Sequence, residues 1–195
     1  MKFSSLIAPQ QIGGGQDSRH DPLIARGRRR SRRRGRLDAL GHNSSMPSQA
    51  TPAWDVGCPF VQRLVVGPDD IDRFGHANNV AYLAWLERVA WAHTTAVGMD
   101  FEAYQRLGTA CVARRHELDY LLPTFVGEEL DVGTWIAEND GRVAMWRHYQ
   151  VVRVADRRTV LRGRSQWVCV DMATGKPKRQ PPAFISAYRP LDQDK

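Results

Sequence analysis

The sequence predicts an α+β domain in which one antiparallel sheet of about five strands wraps around a single long helix. Three observations carry this. Residues 80–97, with Tyr82, Leu83, Trp85, Leu86, Val89, Ala90 and Trp91, are apolar over almost the whole helical circumference, the mark of a helix enclosed by other structure. Four long β-rich runs follow it, at residues 110–122, 129–138, 143–155 and 159–170. Their separators, residues 123–127, 139–142 and 156–158, are short; short turns imply antiparallel neighbours, so the four runs read as a meander.

The elements follow in order. Residues 59–66 form a partly alternating apolar run, a strand broken by Gly67-Pro68-Asp69-Asp70. Asn78 and Asn79 are both good N-caps for the helix, and Gly98 is its stop. Asn139-Asp140-Gly141 is a hairpin signal between the second and third runs of the group of four. The run 143–155 reads as a strand with partly two-sided burial rather than a clean amphipathic one.

The net charge of +7 divides unevenly. Residues 1–50 hold ten Lys or Arg against three Asp, whereas the remainder holds 18 basic and 18 acidic residues. The basic excess therefore belongs to the first 50 residues, which include Arg28-Arg29-Arg30-Ser31-Arg32-Arg33-Arg34 and show no sustained apolar period. They read as a disordered tail ahead of a single domain at 51–195. The arginine run fits a nucleic-acid or nuclear-targeting patch, an organelle transit peptide, or sequence upstream of the true start, since Met46 stands just before the domain. Nothing in the domain itself points to nucleic acid. Cys58, Cys111 and Cys169 are far apart and in apolar settings, which suggests core thiols in a reducing cytoplasm and neither a disulfide framework nor a metal site. The long apolar helix carries Glu87, Arg88 and His93, so it does not read as a membrane span.

Between the first strand and the helix lies Asp70-Ile71-Asp72-Arg73-Phe74-Gly75-His76-Ala77-Asn78-Asn79. A carboxylate, an imidazole and two carboxamides are crowded at a helix start, where unpaired N–H groups and the positive end of the helix dipole can hold an oxyanion. That combination suits acyl chemistry.

The Asp-x-x-Gly-His-x-Asn-Asn turn ahead of such a helix resembles the hotdog fold of the 4-hydroxybenzoyl-CoA thioesterase-like superfamily, and the likeness spans residues 58–186. Arg114 to Pro123 with Gly127-Glu128-Glu129-Leu130 resembles the family's second strand and the turn after it; Trp167 to Asp171, followed by Thr174-Gly175-Lys176-Pro177, resembles its closing strand and exit. The resemblance implies hydrolysis of acyl-CoA thioesters with no cofactor and no metal, a homodimer or dimer of dimers, and an active site near the subunit boundary. Asp72 falls on the family's essential carboxylate. His76 with Asp72 falls on the Asp and His of plant acyl carrier protein thioesterases, although Phe74 replaces the asparagine those enzymes carry between them, and Asn79 replaces a histidine of some bacterial relatives.

Asp72 would attack the thioester carbonyl or deprotonate water. The N–H of Gly75, or those of His76 and Ala77, would polarise the carbonyl; His76 would donate to it or orient Asp72 or water; Asn79, first of all a cap residue, has a secondary claim as a water-positioning amide. Phe74 is a candidate acyl-pocket residue, and Tyr82, one turn into the helix, reads first as core and second as pocket lining. Lys176, Lys178 and Arg179, or else Arg114 and Arg115, are candidate partners of the CoA phosphates, each equally readable as ordinary surface charge. Glu117 and Asp119 are of interest because some relatives of the resembled family place a carboxylate across a subunit boundary, but each reads first as part of a solvated strand face. The competing readings are an acyl carrier protein thioesterase and a non-catalytic acyl-thioester binder.

Overall fold

The computed structural model describes residues 54–191; the arginine run and the rest of the tail lie outside the described residues. Five strands, β1 (Phe60–Val65), β2 (Thr109–Tyr120), β3 (Glu129–Asn139), β4 (Ala144–Arg153) and β5 (Thr159–Asp171), form one antiparallel sheet. Helix α1 (Asn79–Ala96) lies on one face, joined by the short helices α2 (Phe101–Leu107) and α3 (Pro182–Ala187). No helix of the described residues is long and apolar enough to cross a membrane.

The sheet order is β1-β3-β4-β5-β2, so the expected four-stranded meander is only three strands long. β2 pairs with β5 at the far edge, and the connection to β3 recrosses the sheet. The reason is reach. Residues 121–128 can extend about 26 Å, well beyond the three strand spacings of about 4.8 Å they must cover. They are pinned on the way: the Val160 carbonyl accepts from Leu121 and Leu122, and the Thr124 carbonyl accepts from Ala77.

Alternation along the strands points Leu130, Val132, Tyr149, Val151 and Leu161 at α1, where they pack on Ala81, Tyr82, Trp85, Leu86, Val89 and Ala90. The opposite face is partly covered by the chain entering β1. Trp54 lies over Gly133, where a Cβ would sit 2.6 Å from the indole, and Asp55 receives both Nε and Nη2 of Arg162. β4 is accordingly buried on both faces.

The helix is not enclosed all round. Within one chain Ala84 is exposed on its outer side, Val80 is 75% exposed and Trp91 41%. Its cap is Asn78, whose side chain accepts from the Ala81 N–H at 2.8 Å and whose Nδ2 donates to the Asp70 carbonyl at 3.0 Å. Asn78→Ala should therefore lower stability by about 1 kcal/mol, read as a fall in denaturant midpoint at constant m.

Two further elements close the far end. α2 starts at the Asp100 cap, whose side chain accepts from the Ala103 N–H, and ends at Gly108 in the left-handed region, φ 59°. Fully buried Phe184 and Tyr188 pack against Tyr104 of α2, and the two tyrosine hydroxyls are 2.7 Å apart. Of the cysteines, Cys58 is exposed, against the expectation of three core thiols, because it lies in the irregular entry to β1 rather than on a strand. Cys111 and Cys169 face each other across β2 and β5. Burial pushes their thiols up to about 12 and about 11, which keeps both protonated and unreactive at neutral pH.

Between α1 and the sheet lies the charged side chain of Arg147, which donates to His93 Nδ1 at 2.7 Å. Burial, then the Arg147 cation, pushes His93 down to about 4. An unfolded histidine titrates near 6.5, so between those values the unfolded chain binds more protons, and stability falls as pH drops from 6.5 towards 4. Urea midpoints across that window should decline less steeply in His93→Asn, which still offers Arg147 an acceptor.

Candidate active site

The segment between β1 and α1 folds into a compact turn because its polar groups satisfy one another. A 3₁₀ turn at Pro68–Asp70 leads in, and Ile71 and Ala77 form an isolated antiparallel bridge. Across it the Asp72 N–H donates to the His76 carbonyl at 3.0 Å, and the Gly75 N–H donates to the Asp72 carbonyl at 3.1 Å. Gly75 sits at φ 82°, a backbone conformation that a side chain disfavours. The Asn78 N–H donates to the Asp70 carbonyl at 2.8 Å, which fixes the turn to the start of α1.

This arrangement presents Asp72 at the N-terminal end of α1 with its carboxylate 28% exposed. Oδ1 accepts from the Phe74 N–H at 2.8 Å. Oδ2 faces His76 Nδ1 at 3.7 Å, too long for a hydrogen bond. The carboxylate is thus oriented on one oxygen and accessible on the other. Phe74 is 86% exposed and stacks on His76, ring centroids 6.2 Å apart. The Gly75 and Ala77 N–H groups are occupied by the Asp72 and Thr124 carbonyls. The amides of the turn that make no such bond among the described residues are those of Arg73 and His76 and, at the helix start, those of Asn79 and Val80, which have no intrahelical acceptor. Asn79 lies beside them, its side chain exposed.

Tyr82 is buried beneath the turn, its hydroxyl 2.9 Å from Thr124 Oγ1, and burial pushes its phenol up. Tyr120 stands edge-on to it at 5.4 Å and donates to the Asn79 carbonyl. Arg153 ties the neighbouring loop together through the Pro123 carbonyl, Glu128 and Asp156. Tyr120, Thr124 and Arg153 were not among the expected site residues. Their role depends on the 121–128 crossing, which no local pattern announces.

Asp72, Phe74, Gly75, His76, Asn79 and Tyr82 thus come together; the expected basic lip does not join them within one chain. Lys178 Nζ contacts the Gly108 carbonyl and Asp171, and the Lys176 carbonyl accepts from Asp171 at the end of β5. Arg179 adjoins Gln180, which is bonded to the β3–β4 hairpin. That is the opposite end of the sheet, roughly 35 Å away along β3. Arg114 lies at a β-bulge on the edge strand, and Arg115 pairs with Glu117 at 2.8 Å. Glu117 also accepts from Arg164, so two guanidiniums hold it as a surface ion pair and its carboxyl is lowered. Among the described residues no group of three or more His, Cys, Asp and Glu is placed to hold a metal.

Residues 66–188 match the thioesterase-like superfamily, a span that includes the Asp72 turn, α1 and four of the five strands whole. The chain belongs to that superfamily and is a thioester hydrolase. Solved structures share its hotdog fold at low sequence identity. Slr0204, a 1,4-dihydroxy-2-naphthoyl-CoA thioesterase from Synechocystis, is 16% identical with a TM-score of 0.61, over 67% of this chain and 96% of that one. The probable thioesterase YbaW from Escherichia coli is 17% identical with a TM-score of 0.58, over 66% and 95%. SAV2348 from Staphylococcus aureus, a hypothetical protein determined with CoA, is 14% identical with a TM-score of 0.62, over 68% and 82%. No curated protein matches the chain. For this thioesterase-like chain the comparisons establish the fold and the class of bond broken.

Proposed function

We propose that residues 51–195 form a single acyl-CoA thioesterase domain that hydrolyses an acyl-CoA to the free acid and CoA, with Asp72 as nucleophile or general base. The observation that carries this is the Asp72 turn itself: a carboxylate with one oxygen fixed and one accessible, beside unpaired amides at a helix N-terminus. The CoA complex of SAV2348 supports CoA as the thiol portion.

Water, activated by the Asp72 carboxylate, adds its oxygen to the thioester carbon, or the carboxylate adds first and water then cleaves the anhydride. The carbonyl oxygen becomes an oxyanion facing the His76, Asn79 and Val80 amides, where the positive helix end favours it. The C–S bond breaks, CoA leaves as thiolate and takes up a proton, and the acid departs as carboxylate. His76 lies near enough to Asp72 to steer water between them. Exposed Phe74 offers an apolar face to the entering acyl or pantetheine group.

The functional unit is a dimer in this reading. The outer edge of β2 is unpaired, Val112 to His116 are exposed on it, and the outer stripe of α1 is uncovered. A second copy would cover the β2 edge and could bring Lys176, Lys178 and Arg179 towards the Asp72 turn of its partner. Light scattering on the full chain reads the mass directly. A thiol-release assay over straight-chain, branched and aryl CoA thioesters tests the chemistry: turnover of at least one is expected, and binding without turnover of any would favour the non-catalytic binder.

A further inference from the structure

Arg147 lies in the middle of β4, points at α1 and is 1% exposed. Besides His93 Nδ1, its guanidinium reaches the hydroxyls of Thr134 and Thr94, both at 3.4 Å. None of these groups is an anion, and no ion pair among the described residues includes Arg147. Buried guanidiniums are ordinarily paired, because an uncompensated charge in a low-dielectric interior is costly. Both Nη atoms of this one find hydrogen-bond acceptors, but its charge is unanswered.

The same side chain lines a cavity of about 20 Å³ together with Trp91, Thr94, Tyr104, Met145 and Trp167. That volume holds one water-sized group, not a whole ligand. Trp91, on the rim, is partly exposed and continues the outer stripe of α1 that begins at Val80 beside the Asp72 turn. Glu87, the acid nearest in sequence on that stripe, is exposed and accepts from Trp91 Nε1 at 3.1 Å. A small cationic end behind an aromatic rim fits a ligand with an anionic tip on an apolar body.

We infer that Arg147 and this cavity form a carboxylate-binding site, in which the carboxylate meets the guanidinium and the apolar body rests on Trp91. The carboxylate has two sources: the far end of an acyl group whose thioester is held at the Asp72 turn, or a free carboxylic acid. The first rests on the proposed acyl-CoA reading and sets a length. Asn79 and Thr94 are about 22 Å apart along α1, and an extended chain advances about 1.2 Å per bond, so within one chain it demands a long ω-carboxylated acyl group. A free acid carries no such requirement.

Tryptophan fluorescence of the full chain at pH 7, titrated with octanoate and with octan-1-ol, tests the site without catalysis and without a variant. Octanoate is expected to bind about 10–100-fold more tightly than the alcohol, the advantage of a hydrogen bond to a charged group. Arg147→Met should remove that difference while leaving the alcohol unaffected; should the variant not fold, the wild-type comparison still decides. Thiol release from the mono-CoA thioester of icosanedioic acid, long enough to span that distance, against icosanoyl-CoA, separates the sources. A preference of about tenfold or more in kcat/KM assigns the acyl terminus; octanoate selectivity without that preference assigns a free acid. Equal binding of octanoate and octanol with no thioester preference overturns the inference. Octanoate selectivity with no thiol release from any thioester would overturn the hydrolase reading and leave this site standing.

Discussion

Replacing Asp72 by asparagine is expected to lower kcat for CoA-thioester hydrolysis by about 10²–10⁴-fold while the unfolding transition stays where it is. The separation follows from the geometry. Asn Oδ1 can still accept the Phe74 N–H that orients the native side chain, so the turn keeps its shape. What disappears is the anionic oxygen on the accessible side, and with it both the nucleophile and the base. Because the side chain is partly exposed and makes no ion pair shorter than 3.7 Å, stability should change by no more than about 0.5 kcal/mol. Steady-state thiol release and urea unfolding on one preparation read both quantities. Retained turnover would remove Asp72 from the chemistry, and lost turnover with a lowered midpoint would make its role structural.

Phe184→Ala should be the most destabilising change of those considered, about 3–5 kcal/mol. Phe184 is fully buried in α3, with ring centroids 5.0 Å from Tyr104 and 5.6 Å from Tyr188. Truncation leaves a cavity walled by two tyrosines whose hydroxyls hold each other in place, so the site cannot easily collapse. The denaturant midpoint should fall at constant m. A loss below about 1 kcal/mol would mean that α3 is dispensable to the core, against its burial.

These two sites differ in how far the sequence announced them. The Asp72 turn was legible because its chemistry is local: a helix cap, a glycine at positive φ and a carboxylate within ten residues. The five strands were legible because period and turn residues are local as well. Strand order was not, since the pairing of β2 with β5 depends on where residues 121–128 travel, and that is decided by bonds to Val160 and Ala77. Tyr120, Thr124 and Arg153 became part of the site only through that crossing. α2 and α3, of seven and six residues, are too short to show a helical period. Lys176, Lys178 and Arg179 follow β5 in a segment whose position is set by tertiary pairing, so composition could not tell which end of the sheet they occupy.

Nothing local in the sequence singles out Arg147: on a strand with partly two-sided burial, spacing does not say whether an arginine is sealed in or reaches solvent. Its burial comes from the register that sets β4 between β3 and β5 with α1 above it.

The most direct test of the central claim is the structure of the Asp72→Asn variant soaked with an acyl-CoA that the wild type hydrolyses. The thioester carbon is expected within contact distance of position 72, its oxygen turned towards the His76 amide or the first amides of α1. A thioester seated elsewhere, for example in the cavity of about 170 Å³ lined by Asp55, Trp135, His148 and Arg162 on the opposite face of the sheet, would contradict the account.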